Sequence, residues 1–142
     1  MRSILVAVDG SEGSRRAVRH AADLAKETQA TLYTLTVLEP PTALPFGFLD
    51  STVTIPSVTS AHTEEISTLV KSLHRDFPQE RLEVLVKVGR AAETIVSQSE
   101  ILDVDLLVMG ARGLTNPAMR LLVGSVTDRV LRQTQRPVTV VP

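Results

Sequence analysis

The sequence predicts a doubly wound α/β fold: a five-stranded parallel sheet in the order 3-2-1-4-5, with helices on both faces. Three observations carry that expectation. Short apolar runs alternate along the whole chain with longer amphipathic stretches. The first run is almost continuously apolar, as strands covered on both faces are, whereas a sheet wet on one side alternates apolar with polar. One helical stretch separates each run from the next, and repeated β-α-β units with right-handed crossovers build a parallel sheet.

Taken in order, Ser3-Ile-Leu-Val-Ala-Val-Asp9 is the first strand and ends in Asp-Gly-Ser. A helix is expected from about Ser14 to Lys26, with Ala17, Val18, Ala21, Leu24 and Ala25 as its buried stripe. Thr31 to Leu38, rich in β-branched and aliphatic residues, is the second strand. Glu39 to Thr59 holds Pro40, Pro41, Pro45 and Pro56 with Phe46 and Phe48, and reads as a long loop. From about Ser60 to Phe77, Ile66, Leu69, Val70, Leu73 and Phe77 recur at helical spacing. Leu82 to Val88 is the third strand, and Gly89 leads into a helix over about Ala91 to Leu102. Asp105 to Met109 is the fourth strand, followed by a glycine-bearing loop. Ser125 to Thr134 is the last helix and Pro137 to Val141 the last strand.

Composition narrows the function classes. The chain has 142 residues, a length that suits one domain over 1–142, and with 3% aromatic residues its core must be aliphatic. A formal charge of -1 removes the broad attraction on which nonspecific nucleic-acid or anionic-membrane binding depends. The absence of Cys excludes disulfides, thiolate catalysis and thiolate-held metals. No apolar run approaches the ~18 residues of a membrane span, and no export signal is visible at the N-terminus. A soluble cytoplasmic domain is expected.

In this topology ligands bind beyond the carboxyl ends of the strands at the switch point, here between strands 1 and 4. That sets Asp9-Gly10 beside Gly110-Ala-Arg-Gly113. Gly110 and Gly113 let the backbone approach a ligand closely or take positive φ. Gly124-Ser125 precedes the final helix, whose first N–H groups and dipole favour an anion, with the Ser125 hydroxyl as a further donor. The chemistry implied is phosphate cradling by backbone amides. The plainer reading stands beside it: the glycines shape a βα loop, Ser125 is an N-cap, and Asp9 caps the first helix with Ser11.

The whole chain resembles the universal stress protein family. The residues that carry the resemblance are Ile4-Leu-Val-Ala-Val-Asp9-Gly10-Ser11, Asp105-Leu-Leu-Val-Met-Gly110-Ala-Arg-Gly113-Leu114, Arg120-Leu-Leu-Val-Gly124-Ser125-Val126 and Arg136-Pro137-Val-Thr-Val-Val-Pro142. The resemblance implies a five-stranded Rossmann-like fold, a homodimer and a stress-response function in which ATP or another adenine nucleotide (ADP, AMP, cyclic AMP) is sensed or sequestered. By that resemblance Asp9 meets the ribose or adenine and Val37 lines the base through its backbone, with Val8 and Met109 near the adenosine. Gly110, Arg112 and Gly113 hold the phosphates from one side, and Gly124, Ser125 and Val126 from the other.

One spacing departs from the family signature, Gly-x2-Gly-x9-Gly-Ser/Thr. Ten residues, Leu114 to Val123, separate Gly113 from Gly124. Because Arg120-Leu-Leu-Val-Gly-Ser aligns without a gap, the extra residue falls in Leu114–Met119, where Asn116-Pro117 reads as a cap and first helical position.

The remaining candidates are negative or concern partners. Lys26, Lys71 and Lys87 are the only lysines and none lies in a Gly-Lys-Ser/Thr, so this is not a P-loop NTPase. No catalytic residue is assigned, and any ATP hydrolysis should be slow. Asp9 can hold Mg2+ or Mn2+ through a bound triphosphate, but His20, His62 and His74 share no ligand spacing and no resident metal site is assigned. Arg15, Arg16 and Arg19 read as a solvated face beside Glu12 and Asp23. The C-terminal 137–141 strand, apolar and at an edge, invites pairing with its own copy across a two-fold axis.

Overall fold

The computed structural model describes residues 1–40, 60–112 and 123–142. Most of the expected Pro/Phe loop, Gly113 and the 114–119 insertion lie outside these residues. Strands β1 (Ser3–Ala7), β2 (Thr31–Leu38), β3 (Leu82–Val88), β4 (Leu106–Gly110) and β5 (Val138–Val141) alternate with helices α1 (Glu12–Thr28), α2 (Ser60–Asp76), α3 (Ala91–Ile101) and α4 (Ser125–Gln133). The strands form one parallel sheet in the order β3-β2-β1-β4-β5, as the sequence predicts.

The continuous apolar character of β1 has the expected cause. Successive side chains point to opposite faces, so two-sided cover requires both parities to be apolar. Ile4 and Val6 join the cluster under α1 and α2, with Ala17, Ala21, Leu73 and Phe77. Leu5 faces the other way, into the cluster under α3 and α4, with Ile95, Leu107 and Val130. β4 divides its residues likewise: Leu106 and Val108 enter the first cluster, Leu107 and Met109 the second.

β3 departs from this pattern. Val84, Val86 and Val88 are 39%, 58% and 62% exposed, and Glu83 and Lys87 interrupt the apolar run. β3 is an edge strand paired only with β2, and of its residues only Leu82 joins the core beneath α1 and α2.

At the amino end of the sheet, Asp105 ties β4 to the start of β1. Its Oδ2 accepts hydrogen bonds from the Arg2 N–H at 2.6 Å and the Ser3 N–H at 3.0 Å. Those bonds, Arg2's foremost, hold its carboxyl below the usual carboxylate range.

Two boundaries move outward. α1 starts at Glu12 rather than Ser14, because Ser11 caps it, and runs on to Thr28, where Gln29 takes a left-handed φ of 60°. An unexpected 3-10 turn at Gln79–Arg81 precedes β3; its Arg81 reaches the Ala25 and Ala30 carbonyls, each at 3.3 Å. Among the described residues no helix is long and apolar enough to cross a membrane.

Candidate functional site

Beyond the carboxyl ends of β1, β2 and β4 lies a cavity of about 280 Å³. Ala7, Val8 and Asp9 reach it from β1, Leu35, Val37 and Glu39 from β2, and Met109, Gly110 and Arg112 from β4. Ala91 and Ile95 of α3 and Gly124, Ser125, Val126 and Thr127 at the start of α4 close it. Of the residues singled out in the sequence, Val8, Asp9, Val37, Met109, Gly110, Arg112, Gly124, Ser125 and Val126 thus stand around one space. Gly113 lies outside the described residues.

Three helices begin at this cavity, and each start carries N–H groups with no partner inside the helix. At α1 the chain supplies its own partners. The Ser11 hydroxyl accepts from the Ser14 N–H at 3.1 Å, and Asp9 Oδ1 accepts from the Ser11 N–H at 2.9 Å and the Ser11 hydroxyl at 2.5 Å. The capping reading of Asp9 is therefore correct, while Oδ2 makes no hydrogen bond to a described residue and Asp9 still lines the cavity.

At α3 the N-cap residue, Arg90, provides no side-chain bond. Glu39, just past β2, does so instead: its Oε1 accepts from the Ala91 N–H at 2.7 Å. At α4 no side chain of a described residue plays that part. Its N-cap is Gly124, not Ser125, which is the first helical residue. The Asp128 N–H is the first to find a helical carbonyl, that of Gly124 at 2.9 Å. The N–H groups of Ser125, Val126 and Thr127 are left without a hydrogen-bonded partner among the described residues, and all three residues line the cavity.

This open tip is firmly anchored. The Gly124 N–H donates to the Ala111 carbonyl at 2.6 Å, and the buried Thr127 hydroxyl donates to the Gly110 carbonyl at 2.9 Å. Ala111 in turn donates to the Val141 carbonyl at 2.8 Å, which ties the tip to the ends of β4 and β5.

Gly110 has a different reason from the one its loop position suggests. It is absent from the positive-φ residues, and a Cβ there would sit 2.7 Å from the Gly13 carbonyl carbon. A Cβ on Gly13 would lie 2.5 Å from the Arg112 carbonyl oxygen. The two glycines let the first turn of α1 press against the end of β4, a contact that brings β1 and β4 into one crevice. Gly10, at φ 83°, supplies the turn before it. Gly13 is not among the residues singled out in the sequence; the signal that could have found it is Gly10-x-x-Gly13, which repeats the spacing of Gly110-x-x-Gly113. Glu39 and Thr127 were legible only as an acid just past a strand and a hydroxyl in a first helical turn.

Asp9, Glu39 and Arg112 are the charged residues of the cavity wall. Among the described residues no three His, Asp or Glu side chains gather as metal ligands would. Wider clefts of about 400 and 440 Å³ run between α1 and α2, away from the switch point. Their basic residues face acids, as Arg15 does Glu12 at 3.6 Å and Glu65 at 3.4 Å.

Fold and cavity define a doubly wound, Rossmann-like α/β protein whose crevice at the switch point contains a helix tip that no described residue caps. The chain matches the universal stress protein family over residues 1–142 and belongs to that family. It is 30% identical to universal stress protein MJ0531 of Methanocaldococcus jannaschii, over 99% of this chain and 81% of that protein. Among solved structures it is similar to the universal stress protein UspA from Lactobacillus plantarum, with a TM-score of 0.82 and 26% identity over 99% of this chain and 97% of that one. It is also similar to a universal stress protein in complex with cAMP, with a TM-score of 0.69 and 25% identity over 99% of this chain and 96% of that one.

Proposed function

We propose that this protein is a stress-response module that senses or sequesters an adenine nucleotide, ATP foremost, with its phosphates at the start of α4. The observation that carries the reading is the contrast among three helix tips at one cavity. Side-chain oxygens of the chain cap α1 and α3, whereas at α4 the N–H groups of all three leading residues, Ser125, Val126 and Thr127, have no partner among the described residues. Unpartnered N–H groups and the positive end of a helix dipole favour an anion there. The apolar walls of Leu35, Val37, Ile95 and Met109 suit a base and sugar. The cAMP complex of a similar protein supports the same class of ligand.

Residue roles follow from placement. Gly124, Ser125 and Val126 hold the phosphates with Arg112, and with Gly113 by the family pattern. Val8, Val37 and Met109 line the nucleoside, and Asp9 Oδ2 meets the ribose, the adenine or a Mg2+ or Mn2+ ion carried in by a triphosphate. Any hydrolysis should be slow, since no lysine lies in the cavity wall. Isothermal titration of ligand-free protein with ATP, ADP, AMP and cyclic AMP tests the reading. Saturable heat from at least one is expected, and no heat from any of them overturns it.

The extra residue in 114–119 favours a second reading, an interaction module of the same fold that binds no nucleotide. The same titration decides between the two.

The single domain over 1–142 pairs with its own copy through β5, an edge strand hydrogen-bonded on one side to β4 and half-buried throughout. Val140→Glu should lower the mass seen in sedimentation from dimer to monomer; an unchanged mass would refute this interface.

A further inference from the structure

The cavity has two ends, and the unpartnered N–H groups of α4 mark only one. β2 lies two strand spacings from β4, about 10 Å across the sheet. That is roughly the reach from a 5′-phosphate to the far edge of its base. At that far end stands Glu39, one residue beyond β2. The Ala91 N–H holds its Oε1 at 2.7 Å, so the carboxylate is oriented before any ligand arrives. Oε2 has no hydrogen bond or ion pair with a described residue, and Glu39 forms part of the cavity wall.

A carboxylate oxygen accepts hydrogen bonds and donates none. Whatever base edge meets it must bring a donor, and one that brings a carbonyl oxygen sets two acceptors against each other. In a purine, the edge furthest from the sugar carries the C6 substituent: an amino group in adenine, a carbonyl in hypoxanthine.

We infer that Glu39 is the specificity-determining residue of the cavity, its Oε2 accepting a hydrogen bond from the exocyclic amino group of the base while Ala91 fixes its Oε1. The inference rests on the phosphate placement proposed above and adds to it the reading of the base. It gives the helix cap a second use: the bond that satisfies α3 also removes the rotamer freedom that a flexible glutamate would otherwise lose on binding.

The test compares ATP with inosine triphosphate, which differ at C6 and N1 of the base, on the wild-type chain and on Glu39→Gln. Glutamine keeps an oxygen for the Ala91 N–H, so α3 stays capped, and it turns an amide donor toward the base. Wild type should favour ATP by about tenfold or more, the scale of one hydrogen bond to a charged group. Glu39→Gln should bind one of the two nucleotides at least as well as wild type does, with the preference abolished or reversed. A preference of equal size in both proteins, or none in wild type, overturns the inference and leaves the phosphate site standing. A wild-type chain that binds neither nucleotide overturns the phosphate site as well. Equal weakening of both ligands in Glu39→Gln would mean that Glu39 acts as a helix cap alone, which also overturns it.

Discussion

The starts of α3 and α4 are two nearly equivalent places that the chain treats differently. Both helices pack on the same face of the sheet, where Ala92, Ile95 and Val130 share one cluster. Both open onto the same cavity, and neither has an N-cap residue whose side chain bonds to the helix. Yet α3 receives the Glu39 carboxylate, and α4 receives nothing comparable from the described residues. An uncapped helix tip costs stability that a single Ser or Asp could restore. Its retention beside a cavity, next to a neighbour that is capped, is what supports the proposal that the α4 tip is kept open for an external anion.

Closing α4 should have the largest effect. Gly124 has φ -61° and ψ 155°, an extended conformation that aspartate adopts readily and from which it can cap the helix. Gly124→Asp should therefore leave the melting temperature unchanged or slightly raised, while nucleotide affinity falls by about a hundredfold or more as one carboxylate replaces the phosphate. Retained affinity in calorimetry would break the contrast between the tips.

Next in size is Gly13→Ala. Its Cβ would be driven against the Arg112 backbone, which has little room to yield, and overpacking of this kind costs about 1–3 kcal/mol. Denaturant titration should register that loss, and nucleotide affinity should fall too as the end of β4 shifts away from α1. Opening α3 is expected to cost less. Glu39→Ala removes a cap worth about 1 kcal/mol, read as a lower midpoint in urea.

The smallest effect is at the opposite end of the sheet. The carboxyl of Asp105 is held below its usual range by the Arg2 and Ser3 N–H groups, so it titrates at lower pH folded than unfolded. Its contribution is fully present above the unfolded pKa and is lost as pH falls through the folded one. Asp105→Asn should flatten that acid limb of the stability profile and leave nucleotide binding untouched.

The sheet was legible because its signal is local. A strand covered on both faces is apolar at nearly every position, as β1 is, and the more mixed runs Thr31–Leu38 and Leu82–Val88 also start and stop where the sequence places them. The exposure of Val84, Val86 and Val88 was not read from the strand itself, although the predicted order already puts β3 at an edge, with a neighbour on one side alone. The same division holds at the site. Asp9, Gly110 and Gly124 come from the strand ends and helix starts that topology brings to the crevice. The reason for Gly110 lies in Gly13, and the state of α3 lies in Glu39; both contacts join residues far apart in sequence. Ser125 was one residue off as a cap because Gly124 already holds the extended backbone that a cap requires.

The central claim, that α4 and not α3 receives the phosphates, is tested most directly by amide chemical shifts in two titrations, one with adenosine and one with ATP. The difference between the two bound spectra isolates the phosphates. The account predicts that this difference is concentrated on the N–H groups of Ser125, Val126 and Thr127, with Ala91 and Ala92 nearly silent. A difference centred on Ala91 and Ala92, or spread evenly over all five, would contradict it.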